Sequence, residues 1–272
     1  MKKIFELINQ LCNSVLIVAS GNIKRGHNKG RMSFSKVVAF TLAETLIVMG
    51  VIGIVSALTL PNLNSSTGEK EKIAKVKKLY QNLEDAIGRA QAVYGPVSEW
   101  FINDSTTTAQ ATRFGERVTE FMKVSKNCGV TTNQKCFSNS NVTYLIGSNN
   151  LQASPDTNSS AYKFVLTDGT SVAIAMSSGS YYVYFNIDGP KGKNKIAYDV
   201  FSVEGNVNGD PISIPSNIYI SRFLTTGQGE DATAWVVNYD NMDYLKAGTD
   251  GKCKNSNVTL NATANPPVTS CK

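Results

Sequence analysis

From Val37 to Leu60 the chain runs VVAFTLAETLIVMGVIGIVSALTL, 24 residues with one charged side chain, Glu44. As a helix, a run of this length extends roughly 36 Å, enough to cross the hydrocarbon core of a bilayer. No A-x-A-like exit comes after it, since the next residues are Pro61 and Asn62, so a cleaved secretory signal is not expected. Glu44 is the discordant residue. An acidic side chain in hydrocarbon costs about 2.5–3.5 kcal/mol on insertion scales and therefore demands a compensating partner. An ordinary signal anchor seldom carries a carboxylate near the head of its apolar run.

Charge is distributed around this segment unevenly. Of 27 basic and 21 acidic residues, residues 1–39 hold seven basic (Lys2, Lys3, Lys24, Arg25, Lys29, Arg31, Lys36) and one acidic, Glu6. The remaining 233 residues hold 20 of each sign and are neutral, so the net charge of +6 belongs to the stretch before the apolar run. Positive charge there is held on the cytoplasmic side and sends the region beyond the run outward. The only histidine, His27, also lies in that stretch. The region after it therefore lacks the usual general base of Ser-His and Cys-His sites and the commonest transition-metal ligand.

Cysteines divide in the same way: Cys12 precedes the run, and Cys128, Cys136, Cys253 and Cys271 lie beyond it. An even number in an exported region implies disulfides. Sequence proximity favours Cys128–Cys136 and Cys253–Cys271, although four cysteines permit three pairings. Neither pair has the CxxC spacing of a zinc site.

Phe40-Thr41-Leu42-Ala43-Glu44-Thr45-Leu46 resembles the cleavage and methylation motif of type IV prepilins and type II secretion pseudopilins. The resemblance implies a cut by a prepilin peptidase between Ala39 and Phe40, N-methylation of Phe40, and a mature chain whose fifth residue is Glu44. Glycine usually precedes the cut in that family, and Ala39 departs from it. The new amine at Phe40 of one subunit and Glu44 of its neighbour would then pair inside a core of packed apolar helices. A charge left unpaired there would be strongly destabilising, so the pair enforces axial register. The 39-residue leader is long for the family, and Met32 would open a conventional short one.

Beyond the apolar run the chain reads as an α+β head. The domain plan is a leader at 1–39, an assembly and membrane helix at 40–61, and an exported region at 62–272. Pro61 and the Asn62–Gly68 stretch weaken the helix signal, and Ser66-x-x-Glu69 resembles a capping box that restarts it. Similar pilins carry a proline at this place, where the helix loosens on assembly. From about 66 to 94, Ile73, Val76, Tyr80, Leu83, Ile87, Ala90 and Tyr94 recur at steps of three and four, a stripe suited to packing on a sheet. Gly95-Pro96 ends it. A Ser/Thr/Asn-rich connection occupies about 95–160, with a short helical piece over 113–124. The sheet and C-terminal region occupy about 161–272. There Tyr162–Thr167, Asp168-Gly169 and Ser171–Met176 read as a hairpin, Tyr181–Ile187 continues the meander, and Tyr198–Val203 adds an edge. An antiparallel sheet against a long helix is the pilin-like architecture.

Other constellations carry less. Asp188 and Asp199 flank a turn of the kind where some pseudopilins bind calcium, but Lys191, Lys193 and Lys195 oppose a cation there and an Asx-type turn is the plainer reading. Three lysines on a neutral region are a thin basis for binding DNA, so nucleic acid is not an expected partner. Trp235 reads as core. Ser177–Ser180 has no nucleophile-elbow pattern, and no enzyme activity or cofactor is expected. The expected partners are prepilin peptidase, other copies of the chain and related pilins in a helical filament, the assembly machinery of the cytoplasmic membrane, and membrane lipid before assembly. The expected location is the bacterial cytoplasmic membrane, single-pass with the C-terminal region outside, and then a surface pilus or periplasmic pseudopilus. The alternative is a monomeric signal-anchored exported domain that binds a ligand.

Overall fold

The structure is a computed structural model and describes residues 42–272 apart from 102–103, 147–149, 153, 178, 210 and 226–228. The chain divides into two compact units, residues 1–55 and 56–272.

Helix α1, Leu42–Tyr94, is assigned without interruption. The break expected between Pro61 and Gly68 does not occur, nor does the restart at Ser66. One proline removes one amide donor, a local cost of about 3 kcal/mol, and the helix runs through it and through the weak stretch after it to the periodic segment beyond Gly68. Gly95, at φ +79°, ends the helix with its N–H on the Gln91 carbonyl; only glycine takes that conformation without strain. The Trp100 indole then donates to the Gly95 carbonyl at 2.8 Å.

In the unit comprising residues 56–272, α1 buries Ile73, Val76, Leu83, Ile87 and Ala90 of the expected stripe, together with Leu79 and Ala86. Tyr80 and Tyr94 are only partly buried against the same core. Helix α2, Thr107–Thr119, is capped by the Thr106 hydroxyl, which accepts from the Ala109 N–H at 3.2 Å. It starts earlier than the expected piece over 113–124, and Val124 opens a strand instead. That strand, β1 (Val124–Gly129), leads to the short strands β2 (Val142–Thr143) and β3 (Asn150–Gln152), which pair with each other.

The meander is β4 (Ala161–Leu166), β5 (Ser171–Ser177), β6 (Ser180–Asn186) and β7 (Val200–Asn206). With β1 it forms a five-stranded antiparallel sheet in the order β1-β4-β5-β6-β7. The fold of this unit is α+β. Register aligns Phe164 with Val172, Val172 with Phe185 and Phe185 with Phe201, so these side chains share one face. Tyr162, Ile174 and Val183 lie on that face too, and helix α2 packs there with the Phe114 ring centroid 4.3 Å from that of Tyr181. Gly115 permits this approach, because a Cβ there would lie 2.1 Å from the Tyr162 ring. After β7 come α3 (Ile220–Thr225) and α4 (Gly229–Tyr239). The Trp235 side chain of α4 is fully buried and meets Tyr244 edge-on.

Candidate functional site

Within residues 1–55, side chains are described from Thr45 onward, and every residue from Leu46 to Val55 is exposed. Ten consecutive helical residues advance nearly three turns and so point in every direction around the axis. The large apolar side chains among them, Leu46, Ile47, Val48, Met49, Val51, Ile52, Ile54 and Val55, are 48–66% exposed. A helix apolar all round its circumference belongs in a core or in lipid. Among the described residues, no helix is long and apolar enough to cross a membrane; the part of the apolar run whose side chains are described is residues 45–56. Ala39 and Phe40 lie outside the described residues. Glu44 and Pro61 fall within the α1 backbone, and their side chains also lie outside them.

The unit of residues 56–272 is organised by three buried carboxylates and two disulfides. Cys128 is bonded to Cys136 and Cys253 to Cys271, the pairings that sequence proximity favours. Asp156, fully buried, accepts from the N–H groups of Lys135 (3.0 Å), Cys136 (2.9 Å) and Phe137 (3.1 Å), which fixes the first disulfide loop. Asp243 accepts from the Cys271 N–H at 2.8 Å and the Ser270 hydroxyl at 2.9 Å, which fixes the second. Its carboxyl is held below the usual range: burial pushes it up, but Lys246 and these two donors outweigh burial.

Asp199 does the same for the loop between β6 and β7. It is fully buried and accepts from the N–H groups of Lys193, Asn194 (3.0 Å) and Lys195 (2.6 Å). Asn194 receives a bond from Asn186 at 2.8 Å and donates to the Ser138 and Ser140 carbonyls, so the loop is also tied to the stretch before β2. Asp188 is ion-paired with Lys72 at 3.4 Å, and its own N–H donates to the Asn186 side chain at 2.9 Å, an Asx turn. The oxygens considered for calcium thus face backbone donors and an ammonium. Among the described residues, no group of three or more His, Cys, Asp or Glu is placed to hold a metal ion.

One lysine is internal. Lys163 on β4 is fully buried and donates to the carbonyls of Asn158 (2.6 Å) and Ala161 (2.9 Å). Burial lowers its pKa, with nearby Asp156 opposing the shift. At the start of α4, burial pushes the Asp231 carboxyl up to about 6, against the Arg222 guanidinium 3.3 Å away. Sequence reading missed Asp156, Asp231, Asp243 and Lys163. Each is defined by backbone groups or burial brought together across the fold, and only the Asp156 cluster gave a local hint, as Ser154-Pro-Asp.

Comparison with known proteins gives no matching family model, no matching curated protein and no matching solved structure.

Proposed function

We propose that the chain is a structural subunit of a type IV pilus or a type II secretion-like pseudopilus, cut before Phe40 and polymerised through its N-terminal apolar helix. The observation that carries this reading is the helical stretch Leu46–Val55, apolar and exposed on every side. Such a surface requires an apolar environment all round, which lipid supplies before assembly and neighbouring helices supply in a filament. The Phe40–Leu46 motif adds the processing site, and Glu44 adds a charge that a neighbour's new amine satisfies. The disulfide-bonded α+β unit suits an oxidising compartment outside the cytoplasm. No catalytic role is assigned.

The test is N-terminal mass spectrometry of the protein from its native membrane or sheared surface fraction, beside a Glu44→Ala strain. A chain beginning at N-methylated Phe40, with membrane insertion kept but filaments lost in Glu44→Ala, is the expected result. A chain that retains residues before Phe40, with normal behaviour of Glu44→Ala, overturns the reading in favour of a monomeric signal-anchored domain.

A further inference from the structure

The loop that Asp199 fixes carries two lysines, Lys193 and Lys195, into the lining of a pocket of about 340 Å³, and the third lysine there, Lys254, comes from the C-terminal region. Lys193 and Lys254 are exposed and Lys195 is half-buried. None of the three takes part in an ion pair among the described residues, and no acidic side chain lines the pocket among them. The rest of the wall is apolar or aromatic: Leu145, Ile146, Leu245, Ala247, Tyr198 and Tyr244. Three ammonium groups outside any ion pair among the described residues, over one buried carboxylate, mark a local preference for an anion, and the apolar wall suits an organic body attached to it.

The lysines are also held in place. The N–H groups of Lys193 and Lys195 both donate to Asp199. Lys254 adjoins the disulfide-bonded Cys253, and its N–H donates to the Lys246 carbonyl at 2.9 Å. A site whose backbone is already ordered loses less entropy on binding. Ammonium groups act as compact point charges with rotatable donors, which suits a phosphate rather than the planar, two-point recognition of a carboxylate that arginine provides. The Tyr198 ring already meets Lys72, with Nζ 3.5 Å from the centroid, and Lys193, at 5.7 Å. It is therefore not a free platform for stacking a nucleic-acid base.

We propose that this pocket binds a small organic phosphate ester, its phosphate among Lys193, Lys195 and Lys254 and its body against Leu145, Ile146 and Leu245. The ester is either a soluble phosphorylated metabolite-sized molecule or the headgroup of an anionic phospholipid. This inference is independent of the filament reading.

The test is calorimetric titration of the full chain in non-ionic detergent with phenyl phosphate, glucose 6-phosphate and dihexanoyl phosphatidic acid. At least one ester should bind at millimolar concentration or below. Each of Lys193→Gln, Lys195→Gln and Lys254→Gln should weaken it about tenfold, the size of one charge-assisted hydrogen bond. Lys191→Gln and Lys252→Gln, of equal charge but outside the pocket, should leave it unchanged. Tighter binding of phosphatidic acid than of the soluble esters identifies a lipid source, and the reverse a soluble one. Absence of binding by all three, equal effects of the pocket and control lysines, or tighter binding of an oligothymidylate than of any ester would overturn the proposal.

Discussion

Placing aspartate at Ile47 and Ile52 tests whether the exposed apolar stretch of α1 lives in apolar surroundings. Seven of its side chains are Leu, Ile or Val and stand exposed around the whole helix. At about 0.3–0.6 kcal/mol each on an insertion scale, they favour transfer by roughly 3 kcal/mol. One aspartate near the helix centre costs about 2.5–3.5 kcal/mol and forfeits the isoleucine it replaces. Ile52→Asp should therefore bring this part of the segment close to balance. Ile47→Asp/Ile52→Asp should push it roughly 3–4 kcal/mol uphill, a factor of several hundred in partitioning. The assay is retention of the full chain in membranes after an alkaline wash, with disulfide formation followed on non-reducing gels to report that the unit of residues 56–272 has folded. Partial release of the single variant and near-complete release of the double variant are expected. A double variant that stays in the membrane as the wild type does, with both disulfides formed, would refute the reasoning.

Four further outcomes are expected of the unit of residues 56–272. Asp231, with its folded pKa of about 6 above an ordinary 3.8, contributes stability that is complete below about 3.8 and lost as pH rises through 6. Urea midpoints at pH 5 and 7 should show Asp231→Asn more stable than wild type at pH 7 by roughly 1–2 kcal/mol after allowance for screening, with the gap narrowing at pH 5. Loops of 8 and 18 residues are closed by the disulfides, so the Cys128→Ser/Cys136→Ser and Cys253→Ser/Cys271→Ser pairs should lose about 2.5 and about 3 kcal/mol by chain entropy, measured by the same midpoints. Gly115→Ala sets a Cβ against the base of the Tyr162 ring, 2.1–2.6 Å from its atoms, and should cost about 2–3 kcal/mol in thermal or urea unfolding. Asp199→Asn should weaken phosphate-ester binding in the calorimeter even though it removes a negative charge from beneath the lysines; tighter binding would mean that charge alone governs the pocket.

How much of this was legible depended on whether a signal was periodic and local. The hairpin β4–β5 was readable because Asp168-Gly169 supplies a turn, with Gly169 at φ +88°, between two apolar strands. The stripe on α1 was readable from its three-and-four spacing, though Leu79 and Ala86 widen it into a broader face. Strand β1 was not, because VSKNCG carries no apolar alternation: its middle, Ser125–Asn127, is exposed, and it pairs with β4 at the sheet edge through two register shifts. The helical state of α4 was also hidden, since GEDATAWVVNY mixes glycine, threonine and β-branched residues that favour helix weakly. Tertiary burial of Trp235, Ala232 and Val236 decides it. The pocket lysines fall outside any motif, because Lys254 reaches Lys193 and Lys195 only through the folded C-terminal region.

Two kinds of surface therefore ask for different partners by different physics. The α1 stretch offers area without direction: transfer from water favours any apolar surroundings, and specificity has to come from a discrete charge such as Glu44. The pocket is the reverse. Its lysines gain little from long-range attraction, because the region is neutral and salt screens charges beyond about 8 Å. Their value lies in being placed. The fold commits buried carboxylates to that placement: Asp199 holds the backbone of Lys193 and Lys195, and Asp243 holds Cys271, whose disulfide fixes Cys253 beside Lys254. Burying a carboxylate is costly unless its oxygens are met by donors; Asp199 is met by backbone N–H groups of the loop that carries two of the lysines, and Asp243 by the Cys271 N–H, the Ser270 hydroxyl and the Lys246 ammonium. Loops tied in this way hold their backbone geometry before a ligand arrives, so binding has less order to impose.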